Sequence, residues 1–389
     1  MIHASSNSRS SACSASPICG GISSREDGSG QRCSVGTLQR SARWRYCGVP
    51  YELRVLIDGR PLVPPRSGIG VHTAEIARRL DVSPPPLIAS HTEIVNREGL
   101  EHCRFRVDRA PNGILWQQFV LPRITDADVL WGPHGTMPVA SGLPCVVTLH
   151  DFSSITMPGA HLFRTIVSFD LFITRSLDRA RRIAAVSRAI AEEAVRWFGV
   201  RRSAIEIVPN GVDEFFAPGG SEGDYILFVG TLEPRKGIDD LLAVWGSLPE
   251  PRPRLILCGD AGWRVRVPRG VEVTGWVDRQ RLRSLYQSAR AFVYPSRYEG
   301  FGIPPLEAMA CGAPVIATRT GAIPEYAEGA ALLIEPGDRN ALRDALVRLL
   351  RDEPLRRDLR CRGAERAKQF RWDRSARLMT ELLAEAARK

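Results

Sequence analysis

An α/β fold of two domains, each a parallel sheet flanked by helices, is what this sequence predicts. Three observations carry that reading. From Leu53 onward short apolar runs alternate with helical patterns, the signature of βαβ units. The 389 residues suffice for two domains of ordinary size. The composition is globular, with 44% hydrophobic and 25% charged residues, and no apolar run nears the roughly 20 residues of a membrane span.

Residues 1–52 stand outside the pattern. They are rich in Ser, Gly, Arg and Cys and lack an apolar period, so they cannot bury enough surface to order themselves. They contain no apolar secretory segment, and Glu26-Asp27 argue against a Ser- and Arg-rich transit peptide. The expectation is a disordered extension, or one misassigned by an upstream start site.

The first domain is expected over residues 53–212. Leu53 to Asp58 is its first strand, and Gly68-Ile69-Gly70 opens a helix through Leu80. A dinucleotide fingerprint would need a third glycine at Thr73, so this Gly-x-Gly also reads as a plain helix-opening turn. Strands near Arg104 to Val107 and Asp128 to Trp131 flank a helical pattern around Leu115 to Leu121. Cys145 to Leu149 is an apolar strand ending in His150-Asp151, where α/β proteins place ligands. A hydrogen-bonded structural histidine is the alternative there. His161 to Arg179 reads as a helix with Arg175, Arg179, Arg181 and Arg182 at its end. Such a cluster is either a solvated helix end or a contact to anionic lipid. A strand from Ile183 to Val186 and a helix from Ser187 to Phe198 follow, and Ile205 to Asp213 turns toward the second domain.

The second domain, over residues 213–372, opens with Tyr225 to Gly230. Thr231-Leu232-Glu233-Pro234-Arg235-Lys236-Gly237 leads into a helix from Ile238 to Trp245. Strands at Leu255 to Cys258 and Val271 to Val273 and a helix from Arg279 to Ala289 come next. Ala291 to Tyr294 is a buried strand, followed by the loop Pro295-Ser296-Arg297-Tyr298-Glu299-Gly300-Phe301-Gly302-Ile303. Pro304 and Pro305 sit in the first turn of a helix that Gly312 ends, before the strand Val315-Ile316-Ala317. Helices from Arg339 to Leu350, Glu353 to Phe370 and Asp373 to Ala386 close the chain.

The formal charge of +10 comes almost wholly from arginine, since the three lysines are Lys236, Lys368 and Lys389. A basic balance permits nucleic acid, anionic lipid or phosphate-bearing ligands without choosing among them. The arginine bias reads as codon composition, and no nucleic-acid partner is expected. The nine cysteines form no C-x-x-C pair, which fits a reduced cytoplasmic protein rather than a disulfide or zinc framework. No metal-ligand cluster is visible.

Chemistry concentrates between Glu299 and Glu307. Gly300 and Gly302 let a ligand approach the backbone, the helix start suits a diphosphate, and two carboxylates can accept from hydroxyls in one crevice. The compact ammonium of Lys236 suits a diphosphate at close quarters. With these residues the chain resembles the retaining glycosyltransferases of family 4, whose fold is GT-B: two Rossmann-like domains facing across a cleft. Its Glu, seven residues, Glu motif matches Glu299 to Glu307. The wording Gly302 to Ala310 is most similar to bacterial mannosyltransferases of surface-polysaccharide assembly.

The resemblance implies that Glu299 contacts the donor sugar and Glu307 the nucleotide ribose. Backbone at Phe301, Gly302 and Ile303 then meets sugar and phosphate, and Lys236 binds phosphate. Many members carry arginine where this chain has Thr231, a position that Arg235 is expected to replace. Gly68 and Gly70 match a Gly-rich loop facing the donor. His150 lies near donor sugar and acceptor, with Asp151 expected to orient it by accepting from a ring N–H. Gly321-Ala322-Ile323-Pro324-Glu325 is a further match, and the last helix, within 373–389, should cross back onto the first domain. The implied function is transfer of a hexose, with GDP-mannose the first-choice donor, to a polysaccharide or lipid-linked saccharide. It needs no cofactor, since the nucleotide sugar is a substrate. The expected location is cytoplasmic, with peripheral contact to the inner face of the membrane through the arginine cluster as the alternative to a solvated helix end. A nucleotide-sugar epimerase of the same architecture and a catalytically silent scaffold are the rivals.

Overall fold

The computed structural model describes residues 50–64, 67–157, 172–260 and 265–388. Two parallel sheets organise them. The first has seven strands: β1 (Val55–Asp58), β2 (Leu87–Ser90), β3 (Arg104–Val107), β4 (Val129–Gly132), β5 (Cys145–Leu149), β6 (Arg182–Ala185) and β7 (Ile205–Ile207), in the order β3-β2-β1-β4-β5-β6-β7. The second has six: β8 (Tyr225–Val229), β9 (Arg254–Cys258), β10 (Val271–Gly275), β11 (Ala291–Tyr294), β12 (Val315–Thr318) and β13 (Leu332–Ile334), in the order β10-β9-β8-β11-β12-β13. Both are doubly wound, reversing direction between β1 and β4 and between β8 and β11. The central strands are buried on both faces, which is why they read as continuous apolar runs rather than alternating ones.

The helices that matter below are α1 (Gly68–Ala77), α2 (Arg188–Phe198), α3 (Ile238–Gly246), α4 (Arg279–Ser288), α5 (Ile303–Ala310), α6 (Ile323–Ala327), α7 (Arg339–Arg351), α8 (Glu353–Ala367) and α9 (Trp372–Ala387). Helix α9 buries Trp372, Ala376, Met379, Leu382 and Leu383 in the cluster that holds Ile57, Ile76 and Trp131 of the first sheet and α1. The chain therefore crosses between the domains twice. Val212 pairs in parallel with Arg371, and a Cβ at Gly211 would lie 2.3 Å from Trp372 N, so only glycine lets the two crossings touch.

Several elements differ from the sequence reading. Tyr51 and Glu52, assigned to the extension, pair in parallel with Val82 and Ser83; the rest of that extension, residues 1–49, lies outside the described residues. Strand β2 follows Pro84-Pro85-Pro86 and was not anticipated, because three prolines mask a four-residue apolar strand. Ile205–Ile207 is a short edge strand rather than only a turn. The pattern near Leu115 becomes a helical turn Gly113–Leu115, a π-helical turn Trp116–Val120 and a 3₁₀ turn Leu121–Arg123. Of the helix expected from His161, residues 172–179 are helical and 161–171 lie outside the described residues. Two of its four arginines have structural partners: Arg182 bonds Ser203 O at 2.6 Å and lies 3.4 Å from Glu385, and Arg181 donates to Arg388 O.

Candidate active site

The second switch point is built by the loops after β8 and β11. Lys236 ends a 3₁₀ turn, Pro234–Lys236, which closes on Gly237 at φ +69; a Cβ there would meet Pro295 O at 2.0 Å. This close approach brings the Lys236 loop onto the β11 loop. Lys236 Nζ donates to Glu299 Oε1 at 2.6 Å and to Tyr294 Oη at 2.8 Å. Glu299 Oε1 also accepts from Ser296 Oγ at 2.6 Å and Tyr294 Oη at 3.0 Å, while Arg235 lies 3.7 Å from Oε2. Burial alone would raise the Glu299 carboxyl, but Lys236 and Arg235 outweigh it and hold the group below its ordinary range. Among the described residues two of the ammonium's three donors are engaged. Among the same residues the hydrogen bonds of the Glu299 carboxylate fall on Oε1, and Oε2 faces Arg235 at 3.7 Å.

Arg235 is more committed than its sequence role implies. It donates to Glu233 Oε1 at 2.6 Å and to Tyr298 O at 3.1 Å, so its charge is largely met before any phosphate arrives. Thr231 lies exposed in the same loop. Gly302, at φ +80, starts α5, and a Cβ there would crowd Ile323 and Tyr326. Pro304 and Pro305 lack N–H groups, so of the four donors a helix start offers, those of Gly302 and Ile303 remain. The Phe301 side chain is buried in the core, its ring tilted against Tyr326 with centroids 5.4 Å apart, so its backbone is what faces the loop. Ile303 packs against the apolar clusters of both domains. Glu307 accepts from Tyr286 Oη at 3.0 Å, with no cation in the bond, and burial pushes its carboxyl up to about 7.

Across from this loop stands His150, at the end of β5. Its Nε2 lies 2.8 Å from Pro133 O. A carbonyl can only accept, so Nε2 carries the proton and Nδ1 is an acceptor. Burial, first of all, lowers its pKa to about 4, so the ring is neutral at ordinary pH. The expected role of Asp151 is overturned. Its Oδ1 accepts from Ser153 N at 2.9 Å and Ser153 Oγ at 2.6 Å, because an aspartate two residues before a helical turn is well placed to bond that turn's own N–H.

Sequence reasoning missed His72. It is fully buried on α1, with Nδ1 2.7 Å from Asn210 Oδ1, and its ring meets His150 edge-on with centroids 4.6 Å apart. Trp131 and Trp372 flank it at 6.0 Å. His72 thus touches both the interdomain crossing and the His150 ring. Gly68 and Gly70 are helical residues of α1; Gly68 faces open space, and Gly70 is buried.

The domains meet at the loop after β11. A Cβ on Gly300 would lie 1.6 Å from His150 O. Tyr298 Oη accepts from Phe152 N at 3.0 Å and donates to Glu193 Oε2 at 2.6 Å. Glu325 Oε1 accepts from Arg188 N and Ala189 N at 2.9 and 3.3 Å, placing a carboxylate at the positive end of α2. Glu299 therefore sits in a loop clamped to the first domain on either side.

Comparison with known proteins places this arrangement. The family described as glycosyltransferase family 4 matches residues 66–214, and glycosyl transferases group 1 matches residues 213–366. O-antigen chain mannosyltransferase B of Escherichia coli is 36% identical over 258 residues, covering 59% of this chain and 67% of the relative. The chain belongs to glycosyltransferase family 4. A D-inositol 3-phosphate glycosyltransferase of Xylanimonas cellulosilytica is 30% identical over 240 residues, 53% of this chain and 57% of that protein. In structure, Anabaena HepE, solved with UDP and glucose, superposes with a TM-score of 0.69 at 20% identity over 86% of this chain and all of that one. This family 4 glycosyltransferase accordingly has the GT-B fold, with Lys236, Glu299 and His150 gathered where its domains meet.

Proposed function

We propose that this enzyme moves mannose from GDP-mannose to a saccharide or lipid-linked saccharide in the assembly of an O-antigen-like polysaccharide, with retention at the anomeric carbon. The observation that carries the proposal is the Lys236–Glu299 pair at the second switch point. The identity to an O-antigen mannosyltransferase supports the choice of sugar. In this reading Lys236 takes the diphosphate, and Oε2 of Glu299 takes a sugar hydroxyl. Glu307 takes the ribose.

The neutral His150 offers Nδ1 to a donor-sugar hydroxyl and does not serve as a base. Deprotonation of the acceptor falls to the leaving diphosphate on the same face of the sugar, and Lys236 stabilises its growing charge. Two carboxylates flanking the anomeric carbon, as double displacement needs, are not assigned here. We propose no resident cofactor or metal, and a cytoplasmic site of action. The test is calorimetry with GDP, UDP and their sugars, followed by NMR of the product anomer. Tighter GDP binding and an α-linked product support the proposal. Tighter UDP binding overturns the mannose donor, and an inverted product overturns retention.

A further inference from the structure

The two interdomain crossings and His150 converge on one side chain, His72. Its ring is wholly buried on α1. On one side Nδ1 lies 2.7 Å from Oδ1 of Asn210, a buried residue of the first crossing. On another, Trp372 stands edge-on at 6.0 Å, directly after the second crossing at Arg371. Trp131 closes a third side at 6.0 Å, its own ring held by an Nε1–H bond to Thr148 Oγ1 at 2.9 Å. The fourth ring neighbour is His150, with centroids 4.6 Å apart and planes at 89°.

The Asn210 bond sets the tautomer. An amide oxygen can only accept, so Nδ1 of His72 carries the proton and Nε2 is a lone-pair acceptor. That Nε2 is buried and has no hydrogen-bond partner among the described residues. A space-filling role does not call for a ring nitrogen left unpaired in the interior, a state native structures rarely tolerate. Burial, and then the nearby His150, hold the ring well below its ordinary pKa, so two neutral imidazoles meet here. His150 needs such a neighbour. Gly300 packs against its carbonyl oxygen, which fixes the backbone and not the ring. The ring's hydrogen bond is Nε2–H to Pro133 O, and the torsion that swings an imidazole is broad.

We infer that His72 is the positioning residue for His150: it holds the ring at the angle that presents Nδ1 to the donor sugar, and takes its own place from Asn210 and Trp372. The inference rests on the reading of His150 given above and adds what orients it. No proton is exchanged at His72, and no bond of the transfer forms there. Through it, the two crossings set the angle of a side chain in the first domain's part of the site.

The test uses the full chain and two variants. His72→Asn keeps an amide nitrogen close to where Nδ1 stands and deletes the rest of the ring. Asn210→Ala keeps the ring and deletes its tether. Each should lower kcat about tenfold or more, as ångström-scale misplacement does, while the Kd for GDP stays at the parent's value. In the His150→Ala background each should cost less than about twofold further, because the group it acts through is gone. An equal loss in both backgrounds overturns the inference and makes His72 structural. Nitrogen-15 NMR of the imidazoles gives a readout independent of turnover. His150 should show one tautomer, protonated on Nε2, in the parent and a mixture in His72→Asn. An unchanged His150 signal in the folded variant overturns the inference. Should His72→Asn not fold, Asn210→Ala carries the same readouts. A parent that turns over no nucleotide sugar overturns the glycosyl-transfer reading, and the NMR comparison still decides the positioning.

Discussion

The two sheets are wound in the same order, and each carries an ion pair at its switch point, yet the pairs are built differently. In the first domain Asp58 and Arg60 come from one strand end and lock each other bidentately. In the second, Lys236 and Glu299 come from different loops and join through a single carboxylate oxygen. A closed pair presents no net charge to a ligand, whereas an open pair can exchange part of its attraction for a diphosphate and a sugar hydroxyl. The same topology thus carries a closed ion pair in one domain and a partly open one in the other.

The largest effect should come from breaking the open pair. Glu299→Ala leaves Lys236 buried beside Arg235 without its carboxylate, and removing one partner of such a pair costs about 3–5 kcal/mol. Chemical denaturation should show a loss of this order together with loss of donor turnover. A variant as stable as the parent would mean that the pair is solvated in solution.

Next in size is the contact between the two domains at His150. Gly300→Ala drives a methyl into His150 O, so the domains must part at the reacting centre. Misplacement by about 1 Å can cost on the order of 10²-fold in rate. The variant should lose roughly that much kcat/KM while keeping GDP affinity, and X-ray scattering should show a larger radius of gyration. Unaltered rate would place the catalytic geometry elsewhere.

The smallest effect sharpens the second domain's side. Glu307, with a carboxyl at about 7 in the fold, binds its proton more tightly folded than unfolded. Its contribution is therefore fully favourable below the ordinary carboxylate range and is lost as pH rises through about 7. The thermal midpoint of Glu307→Gln should gain on the parent between pH 5 and pH 8, and donor affinity of the parent should rise over the same interval as the carboxylate forms. Parallel pH profiles for parent and variant would contradict this.

Much of this contrast was legible in the sequence, and the reason is local. Glu299, Gly300, Gly302 and Glu307 lie on one strand-loop-helix, and Lys236 stands out in a chain that otherwise uses arginine, so pattern alone collected the second domain's side. The first domain's side was not legible because its partners are distant. His72 finds Asn210 across 138 positions, and Gln117 reaches Asp58 across 59. Asp151 was misjudged for the opposite reason: adjacency to His150 suggested a partner, but its Oδ1 accepts from the N–H and hydroxyl of Ser153, and the ring Nε2 of His150 bonds Pro133 O. Strand β2 was lost behind three prolines, and the Tyr298 and Glu325 clamps are visible only once the domains are brought together.

The central claim is that charge recognition belongs to the second domain and that His150 acts on the sugar while neutral. Calorimetry of GDP on His150→Ala and Lys236→Ala, with turnover of the intact donor on both, tests it most directly. Lys236→Ala should weaken free GDP by about 1.5–3 kcal/mol, the value of a charge-assisted hydrogen bond. His150→Ala should bind GDP like the parent and lose turnover by about 10²–10⁴-fold, a positioning loss of the size such groups supply. GDP affinity that falls as far in His150→Ala as turnover does, or that is unmoved in Lys236→Ala, would contradict the account.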